Sequence, residues 1–82
     1  MTDVLLSPRA RDRLDDLEAE PRERIKDALR EIEPERDLSS LTGEDAHKLR
    51  VGDYRAIVDW ERDADTVKVL TVGHRRNIYD RW

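Results

Sequence analysis

At 82 residues the chain is read as one domain, with a core small enough that folding is only marginally favourable. It contains no cysteine, which excludes disulfides and thiolate chemistry. Its net charge of −4 is unevenly spread: residues 1–47 hold 14 acids against 8 bases, whereas residues 48–82 hold 6 against 8.

The elements follow in chain order. Residues 3–7 (DVLLS) are short and apolar and predict a first strand. Ser7 suits a helix N-cap and Pro8 a first helical position. Ala10, Leu14 and Leu17 then share one stripe of a helix. Pro21 is expected to restart the chain as a second helix, in which Ile25, Leu29 and Ile32 recur at helical spacing until Pro34 ends it. The two helices form an antiparallel hairpin. Residues 34–46 are expected to form a loop pinned by Leu38 and Leu41, with Gly43 allowing a turn.

From residue 47 the period becomes two. Gly52-Asp53 suits a type II′ turn, with glycine taking the positive φ. That turn sets Val51 opposite Tyr54, Arg50 opposite Arg55, Leu49 opposite Ala56 and Lys48 opposite Ile57. A second turn at Asp63-Ala64 sets Asp59 opposite Lys68, a favourable charge pair; a slip of one residue would carry Lys68 into the core. One face then holds Leu49, Val51, Tyr54, Ala56, Val58, Trp60, Val67 and Val69, and the helices must cover it. The other is expected to gather Lys48, Arg50, Arg55 and His74 above Ile57, Leu70 and Val72. The expected architecture is α+β in the order β-α-α-β-β-β, with a short N-terminal strand and a two-helix hairpin packed on one face of a small antiparallel sheet.

Like charges facing each other across a ladder destabilise a sheet, so Arg50 opposite Arg55 needs a reason. One is neutralisation by Asp53 or Asp59. The other is an anionic partner such as RNA, DNA or an acidic protein segment. Arginine outnumbers lysine 13 to 3; it binds phosphate bidentately, and the abundance of acids resembles proteins adapted to high salt. Lys48, Arg50, Arg55, His74 and Arg75 resemble a phosphate clamp able to stabilise a pentavalent transition state. His74 titrates near neutrality, Lys48 is open to depression by its cationic neighbours, and Tyr79 offers a hydroxyl. An RNA substrate brings its own nucleophile, the ribose 2′-hydroxyl. No pair of carboxylates or His/Cys cluster has metal-ligand spacing, so neither a metal nor a cofactor is expected. The blander readings make His74 a capping residue, Tyr54 and Trp60 core, His47 an edge residue beside Leu49, and Tyr79 and Trp82 a closure of the sheet end. With no long apolar run and no signal-peptide pattern, the chain is expected in the cytoplasm, away from membranes.

The segments KLRVGDYRAIVDW and VLTVGHRRNIYDRW carry a closer likeness. A Lys-Leu-Arg strand, a G-x-Y-R hairpin and a strand ending V-G-[HK]-R with a tyrosine beyond it resemble the RelE branch of the RelE/ParE toxin superfamily. LLSPRARDRLDDL and the Leu-Thr-Gly before the hairpin fit as well. The resemblance implies a single RelE-like toxin domain over residues 1–82 that acts as a ribosome-dependent mRNA endoribonuclease, an mRNA interferase that inhibits translation. Carried over by position, Lys48, Arg55, Arg75 and Tyr79 fall on the family's functional residues. Arg55 and Arg75 would hold the scissile phosphate, Lys48 would serve proton transfer or charge stabilisation, and Tyr79 would stack on a base. His74 stands where some members carry lysine and would share the acid–base role. Arg50, Arg76 and Arg81 would supply flanking RNA contacts. A second lysine common two residues before Lys48 is Ala46 here. The implied partners are a cognate antitoxin, the ribosome and its message. A gyrase poison of the ParE kind, or a catalytically weak toxin fold that mainly binds its antitoxin, stands as the alternative.

Overall fold

The computed structural model describes residues 2–41 and 46–78. Its strands are β1 (Asp3–Leu6), β2 (Leu38–Ser40), β3 (His47–Val51), β4 (Tyr54–Glu61) and β5 (Thr66–His74), and its helices α1 (Pro8–Asp15), α2 (Ala19–Arg30) and α3 (Pro34–Asp37). The strands make one sheet in the order β1-β5-β4-β3-β2. β1 runs parallel to β5, and every other neighbouring pair is antiparallel.

The helix starts follow from their caps. Ser7 Oγ accepts the Ala10 N–H at 3.0 Å, and Pro8 opens α1. α2 begins at Ala19, two residues ahead of Pro21, which occupies the first turn, where a missing N–H costs nothing. Ala10 and Leu14 from α1, and Ile25 and Leu29 from α2, pack against Leu49, Ala56, Val58, Val67 and Val69 of the sheet. Ile32 and Leu17 join that core from just beyond the ends of their helices. Both main helices therefore cover one face of the sheet, as their stripes require.

Residues 34–46 depart from the expected loop. Pro34 opens the short α3 instead of simply ending α2, and the Asp37 carboxylate closes that turn by accepting the Glu33 N–H at 2.9 Å. Leu38–Ser40 then pair with Leu49, Lys48 and His47 as an edge strand. Three residues carry too little periodicity to announce a strand. Leu38 does pack on the main core, and Leu41 on a second cluster described below. Gly43 lies outside the described residues.

Both hairpins have the expected register. Gly52 takes φ +58° while Asp53 stays at negative φ, the type II′ signature. The second loop spans Arg62–Asp65; Asp65 sits at φ +49° and its N–H reaches the Arg62 carbonyl at 3.1 Å. The register of β4 against β5 then shifts between Ile57 and Val58: Val58 faces Val69, but Ile57 faces Thr71. Leu70 is the extra residue of a β-bulge. Its carbonyl accepts the Ser7 hydroxyl at 2.8 Å, so the group that caps α1 also satisfies the bulge.

Candidate functional site

The face of the sheet away from the helices carries Lys48, Arg50 and Arg55, and Arg50 does lie directly opposite Arg55. Neither proposed neutralising acid serves them. Asp59 lies opposite Lys68, whose ammonium binds the Glu61 carboxylate at 2.9 Å and has its pKa raised by that contact. Asp53 Oδ1 faces Arg75 Nε at 3.8 Å. Among the described residues no ion pair involves Lys48, Arg50 or Arg55.

Arg55 is braced by backbone instead. Its Nη1 donates to the carbonyls of Gly52 at 2.7 Å and Tyr54 at 2.8 Å. Those two bonds use the Nη1 hydrogens and leave the three N–H groups of Nε and Nη2 for a ligand. Carbonyl partners hold the group in place without cancelling its charge. Arg75 reaches the same turn from β5, through its N–H to the Asp53 carbonyl at 2.8 Å. The Arg75–Asp53 ion pair is half-exposed and longer than a hydrogen bond, so it competes weakly with an incoming phosphate.

The bulge at Leu70 decides which residues of β5 join this face, and it corrects the sequence reading. In a regular ladder, Leu70, Val72 and His74 would all fall beside Arg55. The extra residue changes the phase. Gly73 now faces Arg55, while Val72 faces Ala56 and joins the helix-side core. His74 faces Tyr54, and the two rings meet edge to face at 5.5 Å. His74 is thus on the helix side and not among the cations, while Arg75, just past the strand, meets the Gly52-Asp53 turn.

Beyond β5 the chain turns back. The N–H groups of Asn77 and Ile78 both reach the His74 carbonyl, at 2.9 and 3.1 Å. Ile78 is buried against Ala46 and Ile57, with Leu41 and Leu70 alongside, forming a second small core on the cationic face. Its side chain lies 3.7 Å from where a Cβ on Gly73 would stand. Ala46, where the family pattern has a lysine, is instead buried in this cluster with Ile57 and Ile78. Ser39, opposite Lys48 on the edge strand, adds a hydroxyl-bearing residue that no sequence pattern announced. Arg76 is exposed on the turn. Tyr79, Arg81 and Trp82 lie outside the described residues. His47 packs edge-on to Trp60 at 5.6 Å on the helix side, as its alternation predicts.

Three concavities of about 790, 500 and 450 Å³ mark the surface, along α3, between β1 and α2, and between Tyr54 and the start of α2. None is lined by Lys48, Arg50, Arg55 or Arg75. Among the described residues the cations line the sheet face as a row, with Arg50 and Arg75 exposed and Lys48 and Arg55 half-buried. Among the described residues no group of three potential metal ligands clusters, and no helix is long and apolar enough to cross a membrane.

The chain is thus a small α+β fold with an arginine face on which Lys48, Arg50 and Arg55 meet no carboxylate partner among the described residues. The chain is similar to the toxin–antitoxin complex RelBE2 of Mycobacterium tuberculosis, at 25% identity over 93% of each chain with a TM-score of 0.83. It is also similar to the RelB–RelE complex of Methanococcus jannaschii, at 25% identity over 93% of this chain and 95% of that one, TM-score 0.71. The intact E. coli RelBE complex matches at 25% identity over 90% and 96%, TM-score 0.67. No curated protein sequence matches. Residues 4–79 match the family described as the ParE toxin of the type II toxin–antitoxin system parDE. The chain belongs to that family of type II toxins, in the RelE/ParE superfamily, with a RelE-like fold.

Proposed function

We propose that this toxin is a metal-independent endoribonuclease that cleaves messenger RNA on the ribosome. The observation carrying the reading is the meeting of Arg55 and Arg75 at the Gly52-Asp53 turn, with Arg55 braced by two carbonyls and paired to no carboxylate among the described residues. The 2′-hydroxyl attacks the adjacent phosphorus: the 2′-O–P bond forms, the bond to the 5′-oxygen breaks, and the hydroxyl proton ends on the leaving oxygen. Arg55 and Arg75 bind the non-bridging oxygens, whose charge grows in the transition state. Lys48, in the same row as Ile57, stabilises charge or relays the proton. Tyr79 stacks on a base, and Arg50, Arg76 and Arg81 hold flanking phosphates. The solved relatives above are complexes with antitoxins, which supports a cognate antitoxin for this chain. An acidic segment laid across the open cationic track would compete with RNA there.

The test is induction in a growing host, with primer extension on ribosome-bound message. Cleavage in the wild type, lost by about 10²–10³ in rate for Arg55→Ala and for Arg75→Ala with the fold retained, is the expected outcome. Intact messages with gyrase-linked DNA breaks would move the assignment to the ParE kind of poison. The burial of Ala46 under Ile78 favours a second reading, a weak toxin fold that mainly binds its antitoxin. Normal growth together with tight antitoxin binding would select it.

A further inference from the structure

We infer that His74 is a positioning residue for the arginine turn, acting as a neutral hydrogen-bond acceptor and not as a proton carrier. Its Nδ1 accepts the Arg76 N–H at 3.2 Å, while its carbonyl accepts from Asn77 and Ile78. One residue thereby holds three successive N–H groups of the turn that displays Arg75 and Arg76. The ring is steadied from behind by its edge contact with Tyr54, which itself packs on the helix-side core. The bulge at Leu70 makes this possible, because it directs His74 away from the cationic face and towards Tyr54.

The geometry dictates the protonation state that works. An N–H facing Nδ1 requires the lone pair there, so the contact is made by the Nε2–H tautomer. A second proton would set N–H against N–H and release the Arg76 amide. The charged and titratable groups around the ring are Tyr54 of β4, in contact with it, and Arg75 and Arg76 of its own turn; Asp53 at the hairpin faces Arg75, Arg24 of α2 lies beside Gly52, and Glu18 and Glu20 line the concavity that Tyr54 borders. A lysine at this position supplies no acceptor, so such a chain must order its turn differently.

This inference rests on the ribonuclease reading for its effect on activity, but its structural half can be read separately. Three proteins are compared: wild type, His74→Phe, which keeps a ring against Tyr54 without an acceptor, and His74→Asn, whose Oδ1 stands near the place of Nδ1. Amide hydrogen exchange at Arg76 and ribosome-dependent cleavage are measured on each. In His74→Phe, exchange should rise and cleavage fall by about tenfold each, the size of one neutral hydrogen bond. His74→Asn should restore both to near the wild-type values. Unchanged Arg76 exchange in His74→Phe overturns the inference, as does His74→Asn being as inactive as His74→Phe, the pattern of a proton carrier. If the wild type cuts no message, the ribonuclease reading fails alone, and the exchange ratios still decide whether His74 orders the turn.

Discussion

Arg55 shows how a cation is made available at the scale of one residue. A guanidinium facing another across a ladder should find a carboxylate or swing away. Here two main-chain carbonyls hold it, and its charge stays free for a ligand. Asp37 shows the opposite use of charge. Its carboxyl lies below the ordinary 3.8, first through its hydrogen bond from Arg36 and next through the Glu33 N–H. A depressed carboxyl stabilises the fold above its unfolded value, and that stability is lost as pH falls through the folded one. Asp37→Ala should therefore lower stability by about 1 kcal/mol at neutral pH, the cost of a lost helix cap. The difference from wild type in urea unfolding should vanish well below pH 3.8.

At the scale of the element, the bulge in β5 and the cap of α1 are a single device. Ser7 Oγ accepts from Ala10 and donates to Leu70 across 63 residues of sequence. Ser7→Ala removes the cap and leaves the bulge carbonyl without its partner. It should cost about 2 kcal/mol in denaturant unfolding, more than an isolated cap of its kind. Because the bulge sets the phase of Gly73, His74 and Arg75, this variant should also lose cleavage beyond its loss of folded protein. A Ser7→Ala protein as stable and as active as wild type would separate the two features.

For the whole molecule, the acidic and basic halves have different duties. Acids crowd the outer surfaces of the helices, where Asp27 pairs with Arg30 and Glu23 with Lys26, while Lys48, Arg50, Arg55 and Arg75 keep one sheet face positive. If four cations each displace a counterion from single-stranded RNA, log affinity should fall with log salt at a slope of about −3. Arg50→Ala should flatten that slope by about 0.7 in fluorescence titrations across a salt series. A slope near zero would mean that the open face does not meet RNA.

Much of this was legible in the chain. Ser7-Pro8, Gly52 and the opposition of Asp59 to Lys68 are local or pairwise statements, and each local rule had a single low-energy answer. The short β2 was not legible, since three residues hold no period and Leu38 needs Leu49 beside it to become a strand. The bulge was not legible either, since Leu70, Thr71 and Val72 are all buried or half-buried and their types do not say which face each takes.

The order of the longer elements, the two hairpin registers and the gathering of Lys48, Arg50 and Arg55 were settled by sequence alone, because side chains alternate along a strand and turns fix which residues pair. Only the tertiary structure decided that His74 does not stand with them. That choice lies in one extra residue, tolerated because a serine from another element satisfies its carbonyl, and no periodicity reports a partner 63 residues away.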